Sequence, residues 1–434
     1  MSQKRSVLAF LRGVEWSFVA FILALCGLAY GVGVATMTLK IFPYQVIQHA
    51  KMAFDALGKM EDENLIPGME KVDEKAKPGF TPKLIAPSAG KELLLITGGF
   101  GRDAKHCPKQ GCLAWIVDRS GKVVYSWPLD LDGLFGDAKG FSGSTKIENF
   151  YPVGMRLQDD GTLIVTFHGR NMYPYAVGMA RIGRKGEILW KSLDNSHHWF
   201  RTTSDGLIYA PVQVRRTLKY LPGTRMEIAC TVPIYDDGIR IRRVSDGKVL
   251  RTFSVLNVIA SSGYPGLLYG LRSDCDATHM NSVDVVTPEI AAKLPGTQAG
   301  DFLVSLREAS AVAILDKDDG HIKKLVSGHT AAQHSARFMP DGTVVVFDNR
   351  GGSPETGGSR IARINLETGQ TRTVFPNDYS KPLLPFYSSM ASQVEVSPDG
   401  KRLMITSIDE SRNFEIDAET GKPLWWLKRV HDIA

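Results

Sequence analysis

Short runs of alternating apolar and polar residues, separated by turns that contain glycine, recur through most of this chain of 434 residues. Four such runs end in an Asp-Gly turn that is followed by a more apolar stretch, at residues 153–161, 198–206, 334–342 and 392–400. Alternation favours strands buried on one face, and Asp-Gly favours tight turns between antiparallel strands. Each unit then continues into a second pair of strands with its own turn. The pattern therefore predicts an all-β fold built from four-stranded units.

Units of four strands at spacings of roughly 40–60 residues are typical of propeller blades. Besides the four runs, the segment 276–327 is predicted to form a further unit with an insertion, and residues 92–127 to supply the outer strands of another. We therefore predict a six-bladed β-propeller whose innermost strands line a central channel. The alternative is a sandwich of unrelated hairpins.

An uncharged apolar stretch covers residues 16–39; basic residues precede it, and Lys40 ends it. Its length suffices to span a membrane, and the basic residues before it place the N-terminus in the cytoplasm. We predict a single-pass transmembrane helix in the inner (cytoplasmic) membrane, with the rest of the chain on the periplasmic side. The alternative is a signal peptide cleaved near residues 33–35, which would export the same residues.

The hydrophobic pattern divides the chain into three parts. We predict a cytoplasmic N-terminus and transmembrane helix in residues 1–40, an amphipathic helix and linker in 41–90, and the six-bladed propeller in 91–434. Apolar residues at helical spacing between residues 44 and 60 indicate the amphipathic helix. Prolines and lysines in 71–87 indicate the linker.

The composition excludes one class of partner. The net charge is +6 with 23% charged residues, and we find no dense cluster of Lys and Arg with interleaved aromatic residues. A nucleic-acid-binding surface needs such a basic patch. We therefore expect no nucleic-acid partner.

The cysteines fit an exported protein. Cys26 lies in the apolar stretch, which leaves an even number outside it. We predict disulfides between Cys107 and Cys112 and between Cys230 and Cys275, although sequence alone permits three pairings of these four residues.

The repeat places two histidines at equivalent positions, because His198 and His334 each lie eight residues before the glycine of an Asp-Gly turn. Equivalent positions on different inner strands converge on the axis of a propeller. His279 precedes the strands of the unit with the insertion, and Asn281 lies on the same side of its strand. Arg307 ends the next strand of that unit. We therefore expect these five side chains to face one cavity.

Imidazoles and a guanidinium facing one cavity suit the transfer of a tetrahedral oxyanion group. A neutral imidazole attacks without prior loss of a proton, and a second imidazole carries the proton of a hydroxyl group. Arg307 can hold two oxygens in a fixed fork, with Asn281 as a neutral donor. We assign His49, His106, His168, His321 and His431 to surface or satisfied core positions, and His197 and His329 to supporting positions.

Four longer stretches of sequence contain or adjoin these residues, namely 197–206, 278–284, 333–349 and 359–369. In them the sequence resembles the arylsulfotransferase family, the exported bacterial aryl sulfotransferases that use no nucleotide sulfate donor. The resemblance covers roughly residues 90–428. It implies a six-bladed propeller and a ping-pong reaction, in which a histidine takes the sulfuryl group from an aryl sulfate and passes it to a phenol.

The resemblance also implies a role for each candidate residue. His334 would carry the transient sulfuryl group as a sulfohistidine. His198, His279, Asn281 and Arg307 would transfer protons and stabilise the oxyanion. We expect neither a cofactor nor a metal ion.

The chain departs from the family beside two of the histidines. Trp199 and Ser335 stand where related sequences commonly carry Asp. The large family members also carry an N-terminal β-domain, for which residues 40–90 are too short. These departures bear on the orientation of the imidazoles and on the substrate.

Two other functions are compatible with the sequence. An anchored propeller without activity could serve as a scaffold or subunit of a membrane complex, with membrane-protein partners or as a homo-oligomer. The second is a propeller that binds a quinone cofactor or a metal ion. Residues 417–425 resemble the docking turn of quinoprotein blades, and three histidines suit a metal ion. That turn occurs clearly only once, and Arg307 among the ligands would repel a cation.

Overall fold

A computed structural model describes the protein over residues 15–39, 41–44, 79–97, 111–143, 147–170, 172–173, 175–221, 223–225, 227–228, 234–272, 275–276, 278–352 and 358–430. The chain divides into two compact units, Met1–Leu65 and Ile66–Ala434.

The described part of the first unit contains one long helix, α1, which spans Trp16–Leu39. The most apolar part of this helix has a mean hydropathy of 2.3 and is not buried inside the protein. Its 24 residues extend about 36 Å, enough to cross the ~30 Å hydrocarbon core of a bilayer. The predicted apolar helix is therefore confirmed as one that could cross a membrane. The amphipathic helix predicted between residues 44 and 60 lies outside the described residues, apart from Tyr44.

The second unit is a six-bladed β-propeller, which confirms the predicted fold. Strand β1 (Gly79–Leu84) comes before the first blade, which contains β2 (Leu94–Thr97), β3 (Cys112–Val117) and β4 (Val123–Pro128). The short strand β5 (Ser142–Gly143) precedes the second blade, which contains β6 (Phe150–Leu157), β7 (Leu163–Gly169), β9 (Ala176–Ile182) and β10 (Ile188–Ser192). Strand β8 (Met172–Tyr173) pairs with β5.

The remaining blades each contain four strands in chain order. The third contains β11 (Arg201–Thr202), β12 (Leu207–Arg216), β13 (Ile234–Arg243) and β14 (Val249–Ser254). The fourth contains β15 (Met280–Val285), β16 (Phe302–Leu306), β17 (Ala311–Leu315) and β18 (Ile322–Ser327). The fifth contains β19 (His334–Phe338), β20 (Val344–Asp348), β21 (Arg360–Ile364) and β22 (Thr371–Phe375). The sixth contains β23 (Gln393–Val396), β24 (Arg402–Ser407), β25 (Arg412–Asp417) and β26 (Pro423–Val430).

Short helices occur between the strands. They are the α-helices α2 (Leu131–Phe135), α3 (Val255–Ser261) and α4 (Pro288–Ala291), and the 3₁₀ helices Ile147–Asn149, Pro265–Arg272 and Lys381–Leu383.

The predicted Asp-Gly turns join the first two strands of the second, third, fifth and sixth blades. Gly206 and Gly342 adopt φ angles of 79° and 87°, a left-handed conformation that glycine reaches without steric cost. In the turn that contains Gly342, Oδ1 of Asp341 accepts a hydrogen bond from the amide of Thr343 at 3.0 Å. The strands after the turns are apolar, and β7 and β20 are buried along their whole length.

Strand β1 adds a fifth strand to the sixth blade. It pairs antiparallel with β26, from Gly79 opposite Val430 to Leu84 opposite Trp425. This strand lies in the segment 41–90, for which we expected an amphipathic helix and a linker. Pro82 made the segment resemble a linker, but an edge strand tolerates proline because one row of its backbone amides needs no partner in the sheet.

Hydrophobic clusters fill the junctions between neighbouring blades. Phe375 of the fifth blade packs against Phe414 of the sixth, with ring centroids 5.2 Å apart. Trp115 of the first blade and Trp425 of the sixth lie in one buried cluster, which closes the ring. Because both faces of each sheet pack on a neighbour, the inner strands are held at fixed positions around the axis.

The predicted disulfides remain predictions. Cys107 and Cys230 lie outside the described residues. Cys112 is fully buried on β3. Cys26 is exposed on α1.

Candidate active site

Three imidazoles meet where the inner strands of three consecutive blades begin. His198 lies shortly before β11, His279 immediately before β15, and His334 is the first residue of β19. The ring centroid of His198 lies 5.5 Å from that of His279 and 6.3 Å from that of His334. One ring nitrogen from each residue lies within 4.8 Å of the others. The structure thus brings the three predicted histidines together, and we call them the histidine cluster.

The backbone holds two of these residues in an unusual conformation. His198 and His279 have φ angles of 50° and 41°, which non-glycine residues adopt only where the surroundings impose it. Thr166 Oγ1 donates to the carbonyl oxygen of His198 at 2.7 Å, and the amide of His198 donates to Nε2 of His168 at 3.3 Å. The carbonyl oxygen of His279 accepts a bond from the amide of Arg307 at 3.2 Å. Specific contacts therefore fix the direction of both imidazoles.

His334 is held in one tautomer. Its Nδ1 lies 2.7 Å from Oδ1 of Asn349 and 3.1 Å from the carbonyl oxygen of Ala332. The Asn349 amide is oriented by its Nδ2, which donates to the carbonyl oxygens of Ser388 and Ala391 at 2.9 and 3.1 Å. Because both neighbours of Nδ1 are acceptors, Nδ1 carries the hydrogen and Nε2 keeps the lone pair.

Burial keeps most of the cluster neutral. Burial, together with the positive charges of His279 and Arg307, lowers the pKa of His334 to about 3. Burial likewise holds the pKa of His198 well below its ordinary value. An uncharged imidazole has a lone pair available, so His334 and His198 are in the basic, nucleophilic form near neutral pH.

His279 differs from the other two because it is paired with a carboxylate. Nδ1 of His279 lies 2.7 Å from Oδ2 of Asp276. Burial disfavours the charged imidazole, but the charge and hydrogen bond of Asp276 outweigh it and raise the pKa of His279. Asp276 and His279 therefore form a couple that can hold a proton beside neutral His334.

Two further histidines lie against His198. Nδ1 of His197 lies 2.6 Å from Nδ1 of His198, so one of these nitrogens donates to the other. The ring of His168 lies 4.4 Å from that of His198, and burial lowers the pKa of His168 to about 3. We assigned His197 to a supporting position, which its contact fits, but His168 belongs to the surroundings of the cluster rather than to a separate core.

Arg307 and Asn281 lie beside the cluster. Arg307 directly follows β16, and its Nη1 contacts the carboxylate of Glu308. Its charge lowers the pKa of His334. Asn281 is fully buried on β15, and its Nδ2 donates to the carbonyl oxygen of Gln333 at 2.8 Å. This bond ties the strand that follows His279 to the start of the strand that carries His334.

Aromatic side chains wall the site on two sides. Tyr175 stacks on His279 with ring centroids 5.4 Å apart. Trp199 is buried and lies edge-on to His334 at 6.0 Å. Burial and nearby carboxylates raise the pKa of Tyr175 well above its ordinary value, so its hydroxyl keeps its hydrogen. These rings give the site flat apolar surfaces suited to an aromatic ligand.

Sequence reasoning missed Asp276, Asn349, His168 and Tyr175. A signal existed for the first two. Asp276 lies three residues before His279, and Asn349 lies two residues beyond Phe347, which pairs with His334 in the β19–β20 hairpin. His168 and Tyr175 lie at the end of β7 and just before β9, outside the repeated segments that contain His198 and His334.

The profile of the family described as Arylsulfotransferase (ASST) matches residues 154–425, which is more than half of the chain. The chain belongs to the arylsulfotransferase family. The match extends from the second to the sixth blade, so it includes all three members of the histidine cluster, and it confirms the predicted resemblance. A search of curated proteins finds no significant match.

Solved structures similar to this arylsulfotransferase-family chain share little of its sequence. A protein of unknown function from Bacteroides caccae is 15% identical, with a TM-score of 0.46, and the alignment covers 81% of this chain and 93% of that one. A catalytically inactive virginiamycin B lyase from Staphylococcus aureus with quinupristin is 14% identical, with a TM-score of 0.37, over 66% of this chain and 72% of that one.

Proposed function

We propose that the protein is an aryl sulfotransferase that moves a sulfuryl group from an aryl sulfate to a phenolic acceptor through a sulfohistidine on His334. The observation that carries the proposal is the neutral His334 imidazole, which keeps the lone pair of Nε2 among other imidazoles and beside a guanidinium. Membership of the arylsulfotransferase family supports the same chemistry.

In the first half-reaction, Nε2 of His334 attacks the sulfur atom of the aryl sulfate. The N–S bond forms as the bond from sulfur to the aryl oxygen breaks, and the leaving phenolate takes a proton from His279. Asp276 keeps that proton on His279 beforehand, because it raises the pKa of the imidazole. The products are a phenol and a sulfuryl group on His334.

In the second half-reaction, the acceptor phenol replaces the first phenol. His279, which is now neutral, takes the hydroxyl proton while the phenolate oxygen attacks sulfur and the N–S bond breaks. This step restores neutral His334 and protonated His279. Because the same couple first gives and then takes one proton, the cycle needs no other acid or base.

Arg307 and Asn281 are suited to the oxygens of the sulfuryl group. Arg307 supplies a positive charge close enough to lower the pKa of His334, and such a charge offsets the negative charge that gathers on the oxygens in the transition state. Asn281 uses one amide hydrogen for Gln333 and has a second for the substrate. His198, supported by His197, would orient the hydroxyl group of the incoming acceptor through a hydrogen bond.

We infer that α1 anchors the enzyme in the inner membrane with its propeller in the periplasm. The basic residues before α1 favour this orientation. The disulfides predicted for Cys107 with Cys112 and for Cys230 with Cys275 would form in that compartment. The aryl sulfate and the phenol would then be periplasmic small molecules.

The proposal is tested with detergent-solubilised protein and 4-nitrophenyl sulfate. We expect sustained release of 4-nitrophenol only when phenol is added, because the sulfuryl group must leave His334 before the next turnover. We expect His334→Ala to abolish this release. His321→Ala, which changes an exposed ring outside the cluster, serves as the matched control and should keep the wild-type rate.

A sulfuryl adduct of about 80 Da on a peptide containing His334, trapped without acceptor, would identify the intermediate. Release by His334→Ala at the wild-type rate would contradict the proposal. A wild-type protein that releases nothing but copurifies with a fixed set of membrane proteins would instead support the anchored scaffold.

A further inference from the structure

We propose that the histidine cluster also binds one divalent transition-metal ion of the Zn²⁺ class, through one ring nitrogen each of His198, His279 and His334. Binding is independent of the proposed sulfotransfer. Its consequence, inhibition, rests on that function because the ion would occupy the lone pair with which His334 attacks.

The first argument is the separation of the donor atoms. The three ring nitrogens lie within 4.8 Å of one another. Around Zn²⁺, with bonds of about 2.0–2.1 Å in tetrahedral geometry, such nitrogens lie about 3.3 Å apart. Small rotations of the side chains bring the three nitrogens from the first spacing to the second.

The second argument is that each imidazole has a partner on its other nitrogen. Nδ1 of His279 contacts Asp276, Nδ1 of His334 contacts Asn349, and Nδ1 of His198 contacts His197. Histidines that bind metals almost always donate their second ring hydrogen to such an acceptor, which fixes the ring and its tautomer. Nε2 of His279 and of His334 is therefore the metal-facing nitrogen.

The surroundings of His197 favour one tautomer of His198. When Nδ1 of His198 donates to Nδ1 of His197, Nε2 of His198 is free to bind a metal ion and the hydrogen of His197 is on Nε2. That nitrogen lies 3.7 Å from Oδ1 of Asp237. At this distance the two atoms form no hydrogen bond, but the partial negative charge of Oδ1 faces the hydrogen on Nε2 of His197, so the three histidines can present Nε2 lone pairs together.

Charge does not exclude a cation. The charge of Arg307 argues against a bound cation, but its guanidinium is paired with the carboxylate of Glu308. Asp276 also places a negative charge against His279. Asn281 Oδ1 is buried and has no hydrogen-bond partner within the described part of the chain. A water molecule on a bound ion would satisfy this oxygen.

The donor set selects the class of metal. Imidazole nitrogens suit Zn²⁺, Cu²⁺ and Ni²⁺, whereas Mg²⁺ and Ca²⁺ require oxygen ligands. Three protein ligands leave one position open for water or an anion. A second group of closely spaced ring nitrogens belongs to His168, His197 and His198. Nε2 of His168 accepts a hydrogen bond from the amide of His198, and the rings of His197 and His198 are hydrogen-bonded to each other. These nitrogens are therefore not available to bind a metal ion together.

The test measures Zn²⁺ binding to full-length, detergent-solubilised protein that has been stripped with a chelator. Calorimetric titration and metal analysis after dialysis should give one tightly bound ion per chain. His334→Ala and His279→Ala should each weaken binding at least ten-fold, and Asp276→Asn should weaken it about ten-fold because the ring is no longer oriented. His321→Ala should leave binding at the histidine cluster unchanged.

Glutamine variants at His334 and His279 and the circular dichroism of every variant separate lost ligands from lost folding. X-ray absorption should show three imidazole ligands. No binding by folded wild type, or binding lost in His168→Phe but kept in His279→Ala, would overturn the proposal. If Zn²⁺ binds as described but wild type transfers no sulfuryl group under any condition, the metal site stands and the proposed function fails.

Discussion

Asn349 determines which nitrogen of His334 keeps its lone pair. Its amide is fixed by bonds to the carbonyl oxygens of Ser388 and Ala391, so only its oxygen can face the imidazole. The residue contacts His334 alone among the members of the histidine cluster. It therefore acts on the reaction through the orientation and tautomer of another side chain.

Replacing Asn349 should change the reaction without removing the nucleophile. In Asn349→Ala the imidazole can place its hydrogen on either nitrogen, and we expect kcat to fall by about ten- to a hundred-fold with little change in KM. In Asn349→Asp the new carboxylate stabilises a charged imidazole, so the pKa of His334 rises from about 3. Activity in that variant should be lost on acidification at a higher pH than in wild type.

The pH profile separates positioning from a merely structural role. Nitrogen NMR of labelled His334 should show hydrogen on Nδ1 in wild type and a mixture of tautomers in Asn349→Ala. Asn365→Ala, which alters an amide at an exposed turn, is the control. Unchanged kcat in Asn349→Ala would show that the tautomer does not limit the reaction.

The three histidines could be predicted from the sequence, whereas the signals for their partners were too weak to select them. His198 and His334 occupy the same position of a repeated segment, and a repeat can be read along the sequence. Asp276 and Asn349 act through hydrogen bonds whose existence depends on the path of loops and on hairpin register. His168 reaches the site from the second strand of its blade, whereas the repeat predicts site residues only on the innermost strands.

At the scale of elements, the last blade is completed by a strand from the start of the propeller. The six residues of β1 pair with β26, and the amides of Ile85 and Ala86 continue the pairing onto Leu424. Without this strand, β26 would present an open edge. The alternating pattern predicted the strands inside the blades, but it could not identify β1, because proline and lysine also mark linkers.

Removing β1 should weaken the whole propeller. A fragment of residues 66–434 keeps the strand, and a fragment of residues 91–434 lacks it. Six paired residues contribute roughly 0.5–1.5 kcal/mol for each ladder hydrogen bond, so the shorter fragment should lose about 3 kcal/mol or more. It should also aggregate through the exposed edge of β26.

Thermal unfolding of the two fragments, followed by circular dichroism, measures the difference. The longer fragment should match the propeller of the full chain. Equal unfolding temperatures and equal solubility for both fragments would show that β1 is dispensable.

At the scale of the whole molecule, ion pairs connect the innermost strands of several blades. The fourth position of each repeated segment lies three residues after the position that His198 and His334 occupy. In the second, third, fifth and sixth blades this position is a charged residue: Arg156, Arg201, Arg337 and Glu395. Arg201 pairs with Asp284 of the fourth blade at 3.3 Å. Glu395 pairs with Arg156 at 3.2 Å and with Arg337 at 3.0 Å. Two of these pairs join neighbouring blades, and the pair of Glu395 with Arg156 joins the sixth blade to the second, which is not adjacent to it.

Glu395 should therefore stabilise the closed ring as a whole. Burial disfavours its charge, but the two guanidinium groups outweigh this and lower its pKa to about 2. A carboxylate with a lowered pKa stabilises the folded state above its unfolded pKa, and that stabilisation is lost as the pH falls towards the folded value. Glu395→Gln should cost about 2–4 kcal/mol at neutral pH, because it leaves two largely buried arginines without their partner.

The cost should shrink as the pH falls from about 5 towards 2, because Glu395 of the unfolded chain then takes up a proton before Glu395 of the folded wild type does. Urea unfolding of wild type and Glu395→Gln at several pH values measures it. Asp137→Asn removes an exposed carboxylate from the pair with Lys191 and should change stability far less than Glu395→Gln, because solvent screens exposed ion pairs. If both variants behave alike, the apolar junctions between the blades stabilise the ring without a contribution from Glu395.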